Sequence, residues 1–230
     1  MAGTLFVVAT PIGNLEDITF RAVRILNEVD LIASEDTRHT KILLDRYTIG
    51  TPLTSYHKFN IRAKTHQLVQ QLQLGKDLAL VSDAGTPGIS DPGQELIAAA
   101  VGQGIRVESV PGASAVIAAL SVAGLPTDRF VFEGFLPKKP GKKRKLLASL
   151  KDEERTIIIY ESPFRLLKTL AEVAKIMGER QVAVCRELTK RFEEIIRGGA
   201  GEVLEKLQGK EVRGEIVLVI SGQAAQRERS

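Results

Sequence analysis

Short apolar runs rich in β-branched residues recur along this chain, and segments with helical periodicity lie between them. Strands that alternate with helices form α/β layers, in which helices cover a largely parallel sheet. After about Glu193 two strand-like runs flank a shorter helix, which indicates antiparallel pairs and a mixed sheet in the second half. The predicted strands are Leu5–Ala9, Leu31–Ala33, Leu78–Val81, Val107–Val110, Ile157–Tyr160, Val182–Cys185 and Ile216–Ile220.

Local signals mark where several helices begin and end. Asp91-Pro92-Gly93-Gln94 has the pattern of a helix start, with the aspartate at the N-cap and the proline at the first helical position. Ser162 and Pro163 predict a second start, and Gly178 the end of that helix. Ala113–Ala123 is apolar on nearly all sides, so we expect a buried helix there.

The turn-rich stretch Gly124–Asp128 lies midway along the 230 residues. A chain of this length forms one large or two small domains. We therefore expect an N-terminal α/β domain over residues 1–123 and a C-terminal α/β domain over residues 128–230.

Composition narrows the classes of protein. Apolar residues make up 43% and charged residues 26%, which is typical of a folded chain and excludes general disorder. A single cysteine, Cys185, excludes a disulfide framework and a cysteine-based zinc site, and three histidines leave little for a histidine-rich metal site. The absence of tryptophan and the 5% of aromatic residues argue against an RNA binder built on aromatic platforms.

The first residues, MAGTLFVVATPIG, lack a basic region. Their apolar run of about five residues is too short for a signal peptide or a membrane span. Together with the single cysteine, this predicts a cytoplasmic protein without a membrane partner.

A block of positive charge, which we name the basic segment, spans residues 138–145. It holds six Lys or Arg residues and no acid, so that without it the formal net charge of +4 becomes 4 − 6 = −2. Such a block is either a solvated stretch or a phosphate-binding arm, and Pro140-Gly141 predicts that it begins as a loop. The candidate RNA contacts here are Lys138, Lys139, Lys142, Lys143, Arg144 and Lys145.

Three glycine- or proline-rich loops directly follow predicted strands, where open α/β sheets bind their ligands. Thr10–Asn14 carries neither a dinucleotide fingerprint nor a Walker A sequence, which argues against a nicotinamide enzyme or a P-loop NTPase. Ser82–Gly93 is more elaborate than a turn requires, and no structural role accounts for Asp83. Val110–Ala115 is either a close helix–sheet contact or a loop that leaves room for a flat ligand.

Three polar clusters also follow strands. Glu35–His39 is a dense set of charged and polar groups in which Thr37 is a candidate helix cap. Ser162 and Pro163 are explained as a helix start, but Tyr160, Glu161 and Arg165 beside them are not. Arg186–Lys190 is either a functional cluster or a set of surface ion pairs.

Eight motifs in register give the chain a family resemblance from residue 4 to about 221. In order they are TPIGNLEDIT, SEDTRHT, LVSDAGTPGISDPG, PGASA, FEGFLP, YESPFRL, RELTK and RGEIVLVI. The chain resembles the tetrapyrrole (corrin/porphyrin) methylase superfamily, and within it the branch that methylates the ribose 2′-oxygen of a cytidine in 16S ribosomal RNA. The first loop, Thr10–Asn14, departs from the glycine-rich loop of the corrin methylases, which favours the RNA branch.

This resemblance implies a two-domain class III methyltransferase fold, S-adenosylmethionine as methyl donor, a cofactor cleft between the domains, and a homodimer. The small ribosomal subunit would be the partner. The cofactor contacts that the resemblance implies are Pro11, Ser82, Asp83, Ala84, Gly85, Ile89, Ser114, Ala115, Tyr160, Leu188, Gly214, Glu215 and Ile216.

Methyl transfer to a ribose hydroxyl calls for a general base, because a protonated hydroxyl is a poor nucleophile. The candidates are Asp36, Glu35, Asp83 and Glu161, with Asp36 ranked first because Arg38 and His39 adjoin it. Arg38, Arg165 and Arg186 are candidates to orient the target phosphate or ribose.

Two alternatives stay open at this point. One keeps the cofactor and replaces RNA with a tetrapyrrole-like small molecule, against which the basic segment argues. The other is a non-catalytic RNA-binding factor of ribosome assembly on the same scaffold, which would bind RNA without affinity for the cofactor.

Overall fold

A computed structural model describes residues 1–223 of the chain. It forms two compact units, the first comprising Met1–Ser114 and the second starting at Ala115. Each unit is built around one five-stranded sheet.

The first unit contains an entirely parallel sheet in the order β3-β2-β4-β1-β5. Its strands are β1 (Thr4–Val8), β2 (Leu31–Ser34), β3 (Leu53–Ser55), β4 (Leu78–Val81) and β5 (Arg106–Val110). Its helices are a 3₁₀ turn at Leu15–Asp17, α1 (Phe20–Glu28), α2 (Thr37–Arg46), α3 (Ile61–Gln73) and α4 (Gln94–Gly102).

The residues of β4 show why this sheet is buried on both faces. Leu78 and Leu80 belong to one apolar cluster, and Ala79 and Val81 belong to another. Because successive side chains of a strand point to opposite faces, the four-residue apolar run supplies both layers of the core at once. Because all five strands are parallel, their carboxyl ends lie at one edge of the sheet.

The second unit contains a mixed sheet in the order β6-β7-β10-β8-β9, in which β6 and β7 are parallel and the remaining pairs antiparallel. Its strands are β6 (Phe130–Phe135), β7 (Thr156–Glu161), β8 (Gln181–Arg186), β9 (Glu194–Gly199) and β10 (Ile216–Ile220). Its helices are α5 (Ala115–Ala123), α6 (Pro140–Ser149), α7 (Pro163–Met177) and α8 (Ala200–Leu207).

The predicted fold class is confirmed: an α/β chain with a parallel first sheet and a mixed second one. One local prediction is wrong and another is only partly right. Asp91 does not cap α4, because Gly93 is the N-cap, with a φ of 148° that an L-residue rarely adopts, and the helix starts at Gln94. The basic segment begins outside a helix at Lys138 and Lys139, as predicted, but Pro140-Gly141 does not interrupt it, since Pro140 stands at the start of α6, where the missing N–H costs nothing.

Helix α5 differs in two respects from the expected buried helix. It starts at Ala115, and Ile117 is 54% exposed, so only one face of the helix is buried. That face packs on β8 and β10, which places the whole helix in the second unit. The two units accordingly meet in sequence after Ser114, nine residues before the end of the N-terminal domain expected from Gly124–Asp128.

Candidate active site at the edge of the parallel sheet

The loops that follow β1 and β4 are joined to each other. Thr10 N–H donates to the Gly85 carbonyl at 2.9 Å, and Gly85 N–H donates back to the Thr10 carbonyl at 3.0 Å. The Thr10 hydroxyl also donates to the Ser82 carbonyl at 3.1 Å. The structure thus brings together two of the loops singled out in the sequence, at the edge where parallel sheets present ligand sites.

The loop after β4 needs its glycines. Gly85, Gly88 and Gly93 have φ values of 80°, 82° and 148°, and Ser90 also lies in the left-handed region at 64°. A Cβ on Gly93 would come within 3.0 Å of the Gly88 nitrogen and 3.1 Å of the Leu80 side chain. The loop is therefore a fixed, tightly wound structure and not a simple connection.

A small cavity of about 60 Å³ opens beside the joined loops. Thr40 is 3% exposed, and its hydroxyl has no hydrogen-bond partner within residues 1–223. An unsatisfied buried hydroxyl costs roughly 1–3 kcal/mol, so its presence at a cavity indicates a ligand-facing group. The volume admits a small chemical group and not a whole nucleotide. The lining residues are Thr10, Pro11, Leu15, His39, Thr40, Ile42, Leu43, Ser82 and Asp83.

Three carboxylates, which we name the acidic cluster, influence one another at this edge: Glu35, Asp83 and Asp91. Burial and the neighbouring Asp83 raise the pKa of Glu35, while Lys58 and His57 oppose that rise. Burial, followed by the charges of Glu35 and Asp83, raises the pKa of Asp91 to about 6. Carboxyl groups whose pKa is raised by burial and by neighbouring carboxylates are typical of acid–base sites.

Asp36 has a different role. Its carboxylate caps α2 by accepting from the Arg38 N–H at 2.9 Å, and it pairs with the Arg38 guanidinium, with Oδ2 2.7 Å from Nη2. These bonds hold the pKa of Asp36 well below its usual range, so it is a weak proton acceptor. Thr37, the expected cap, is the first residue of the helix. The Arg38 side chain is 89% exposed.

Glu161 and Arg165 are tied into the second unit. The buried Glu161 carboxylate accepts from the Thr169 hydroxyl at 2.6 Å and from the Ser162 N–H at 2.8 Å, and pairs with the Arg165 Nε at 3.2 Å. Arg165 also donates to the Leu136 carbonyl at 2.9 Å and to the Pro137 carbonyl at 3.2 Å. Arg165 thus holds the segment that leads into α6, and Glu161 holds Arg165 in place. The sequence did not reveal this structural role.

Lys143 is not available to RNA, and its predicted phosphate contact is wrong. It is 6% exposed, and its ammonium lies 2.8 Å from Glu172 Oε2 and 3.2 Å from the Thr169 hydroxyl. Helical periodicity explains this, because α6 turns one of its basic residues toward α7. The remaining members of the basic segment are exposed: Lys138, Lys139, Lys142, Arg144 and Lys145.

In the second unit, the loop after β8 has strained backbone at Glu187 and Thr189, with φ values of 51° and 66°. The Lys190 ammonium joins this loop to the residue before β10, since it lies 2.9 Å from the Glu187 carboxylate and 3.0 Å from the Glu215 carboxylate. Gly214 has a φ of 88°, and a Cβ there would strike Glu187. Non-glycine residues with a positive φ, such as Glu187 and Thr189, are typical of binding loops.

The other predicted residues take varied positions. The Tyr160 ring stacks edge-on with Phe132 at 4.9 Å and with Phe135 at 5.4 Å between centroids. Arg186 pairs with Glu194 at 3.1 Å, so its expected RNA contact stays a prediction. Pro11, Gly85, Leu188 and Ile216 are buried, Ala84, Ser114 and Ala115 are partly buried, and Ile89 is half exposed.

Sequence reasoning missed four residues of the first unit. The sequence predicts only a capping role for Asp91, although its place in the glycine-rich loop after β4 could have marked it as a candidate site residue. His57 and Lys58 follow a strand too short to stand out, and nothing marked Thr40 as an unpartnered hydroxyl.

Two kinds of feature are absent from residues 1–223. No helix in that range has the length and apolar character needed to cross a membrane. Within the same range, no three His, Cys, Asp or Glu side chains are grouped so as to hold a metal ion.

Proteins from several bacteria are similar in sequence to nearly the whole of this chain. A protein named Ribosomal RNA small subunit methyltransferase I from Synechocystis is 54% identical over 96% of this chain and 79% of its own length. Proteins of the same name from Thermotoga maritima and Bacillus subtilis are 48% and 49% identical over 96% of this chain, covering 99% and 75% of those proteins.

Solved structures share the fold at low identity. Diphthine synthase superimposes with a TM-score of 0.72 at 15% identity, covering 95% of this chain and 90% of that one. Uroporphyrin-III C-methyltransferase from Thermus thermophilus, complexed with S-adenosyl homocysteine, gives 0.66 at 18% identity over 98% of this chain and 100% of that one. The family model of the Tetrapyrrole (Corrin/Porphyrin) Methylases matches residues 4–204, and this chain belongs to that family.

Proposed function

We propose that this chain transfers a methyl group from S-adenosylmethionine to the ribose 2′-oxygen of a cytidine in the 16S RNA of the small ribosomal subunit. The observation that carries the substrate class is the 48–54% identity, over 96% of the chain, with proteins named for methylation of small-subunit ribosomal RNA. We further propose that the enzyme is a homodimer and acts in the cytoplasm.

The cavity of the first unit has room for a small part of such a cofactor. The unpartnered Thr40 hydroxyl lies at this cavity, beside Pro11, Ser82 and Asp83. Small residues at 112–114 lead into α5, where free N–H groups at a helix start can bind polar atoms. When bound, the cofactor supplies an electrophilic methyl group next to a sulfonium.

Further cofactor contacts are proposed from the family motifs in this sequence. In the first unit they are Ala84, Gly85, Ile89 and Ser114. In the second unit they are Ala115, Tyr160, Leu188, Gly214, Glu215 and Ile216.

We assign the general base to Asp83 and not to Asp36. Asp83 lines the cavity, and its Oδ1 accepts from the Asp36 N–H at 3.0 Å, which fixes the carboxylate at the strand end. Glu35 and Asp91 lie close enough to Asp83 for its charge to act on both of them. The exposed Arg38 is free on its outer side to orient a phosphate.

The RNA-binding surface that we propose uses the exposed members of the basic segment. Lys138, Lys139, Lys142, Arg144 and Lys145 carry charge that folding does not neutralise within residues 1–223, in contrast to Lys143. Five cations on one short stretch attract a polyanion by counterion release.

The test is a transfer assay with methyl-labelled S-adenosylmethionine on unmodified 16S RNA and on unmodified small subunits, followed by mass spectrometry of nuclease fragments. The expected product is one cytidine whose 3′ phosphodiester resists alkali, because a methylated 2′-oxygen cannot attack the adjacent phosphate. Asp83→Asn should abolish transfer while RNA binding persists. Methylation on a base, transfer only to a tetrapyrrole, or RNA binding without transfer would contradict the proposal.

A further inference from the structure

Phe59 is a large aromatic residue held in solvent. It is 84% exposed and lies in the loop between β3 and α3. The β3–α3 loop lies at the carboxyl edge of the parallel sheet, as do the loops that form the cavity. A single exposed apolar residue is ordinary on a protein surface, so its surroundings decide whether it has a role.

Hydrogen bonds fix the backbone of this loop. Asn60 Oδ1 accepts from the His57 N–H at 2.9 Å, and Asn60 Nδ2 donates to the Ser55 carbonyl at 3.2 Å. The Phe59 N–H donates to His57 Nδ1 at 3.3 Å. Because Asn60 is used in this way, it makes no side-chain cap for α3. The exposed ring is thus presented on a preorganised loop, which lowers the entropy cost of binding.

One cation lies close to the ring. Lys58 Nζ lies 4.9 Å from the centroid of Phe59, and the His57 ring meets it edge-on at 6.0 Å. Residues 57–66 contain three Lys or Arg residues and no acid. An aromatic ring beside a cation is the combination that binds single-stranded nucleic acids, with a base on the ring and a phosphate on the cation.

The loop also lies near the carboxylates to which the reaction is assigned. His57 and Lys58 are close enough to Glu35 to oppose the rise in its pKa, and Asp83 acts on the same group. A base held on Phe59 would therefore lie at the same edge of the sheet as the acidic cluster, where its nucleotide or the neighbouring one could present a ribose.

We propose that Phe59 is a stacking platform for an unpaired base of the substrate RNA, with Lys58 as its phosphate contact. This inference rests on the proposed RNA-methylating function and adds the residue that selects a single-stranded target. It departs from the expectation, drawn from the low aromatic content, that the chain lacks such a platform.

The absence of tryptophan from the sequence allows a direct test. Phe59→Trp introduces the sole tryptophan of the chain, whose fluorescence a stacked base quenches. The probe is a short single-stranded oligoribonucleotide containing one cytidine, compared with the same strand carrying an abasic site in its place. The matched control is Phe20→Trp, at another exposed phenylalanine of the same unit, 99% exposed at the start of α1.

We expect quenching of Phe59→Trp by the cytidine strand, weaker quenching by the abasic strand, and no such difference in Phe20→Trp. Phe59→Ala should weaken RNA binding roughly five- to a hundredfold without changing the salt slope, because stacking releases no counterions. Lys58→Ala should lower that slope. Equal quenching by both strands, or normal RNA affinity in Phe59→Ala, would overturn the platform.

The two proposals fail in different ways. If the wild-type protein methylates RNA but Phe59→Trp shows no base-dependent quenching, the platform is wrong and the function stands. If base-dependent quenching occurs in a protein that transfers no methyl group to RNA, the platform stands and the assigned reaction is wrong. An unchanged melting temperature of Phe59→Ala shows that its fold is intact.

Discussion

The ammonium of Lys143 lies 2.8 Å from the carboxylate of Glu172, an ion pair that joins α6 to α7 beneath the surface. The same ammonium contacts the Thr169 hydroxyl, which in turn donates to Glu161. One residue of a conspicuously basic stretch is therefore part of the folded core of the second unit, while its neighbours remain in solvent.

The first prediction concerns the stability of this unit. Lys143→Ala leaves Glu172 without its partner in a largely buried position, and we expect a loss of about 3 kcal/mol in the free energy of unfolding. Lys142→Ala removes an exposed charge and should change stability by less than about 0.5 kcal/mol. Urea denaturation of both variants measures the difference, and equal stabilities would show that the buried pair has no net effect.

The second prediction concerns RNA affinity. Replacing Lys142, Arg144 and Lys145 with Ala removes three exposed charges of the basic segment and spares the buried pair. If each contacts a phosphate of single-stranded RNA, the slope of log affinity against log salt should fall by about 2, since each contact contributes roughly 0.7.

Two controls accompany that measurement. S-adenosylmethionine affinity, measured by calorimetry, should stay unchanged in the triple variant, because these three residues are not among the proposed cofactor contacts. A triple variant that keeps the wild-type salt slope would show that the basic segment is a solvated stretch and does not contact phosphates.

The third prediction separates capping from catalysis at Asp36. Asparagine caps helices as well as aspartate does, whereas alanine does not. If Asp36 acts through the cap, Asp36→Asn should keep near-normal methyl transfer and melting temperature, while Asp36→Ala should lower the melting temperature. Transfer abolished in Asp36→Asn, with stability retained, would restore Asp36 as the general base.

The fold could be predicted from the sequence wherever a strand was a compact apolar run. Ile216–Ile220 matches β10 residue for residue, and Leu78–Val81 matches β4. By contrast, the three-residue strand Leu53–Ser55 is only partly buried and contains two hydroxyl residues. Its pairing with β2 depends on the neighbouring strand and not on an apolar pattern of its own.

The site could be predicted at the level of loops but not of individual side chains. The motifs identified Thr10–Asn14 and Ser82–Gly93 before their mutual hydrogen bonds were known. The roles of Asp36 and Lys143 were missed because one depends on where a helix starts and the other on which face of a helix is buried. Both are decided by tertiary packing.

The last prediction uses the raised pKa of Asp91, about 6 in the folded chain against 3.8 when unperturbed. Between those values the folded state binds more protons than the unfolded state, so the free energy of unfolding falls as pH rises. The ionised carboxylate is destabilising above pH 6, because burial and the charges of Glu35 and Asp83 oppose it. Asp91→Asn removes that charge.

We therefore expect Asp91→Asn to be more stable than the wild type at pH 7.5 and equal to it below about pH 4. The carboxyl is only half buried, so solvent screening reduces the effect to about 1 kcal/mol, or roughly 2–4 °C in melting temperature for a chain of this size. Glu95→Gln, an exposed position on α4, is the control and should show no such pH dependence. A stability difference that is the same at both pH values would mean that Asp91 is not held in a charge-disfavouring site.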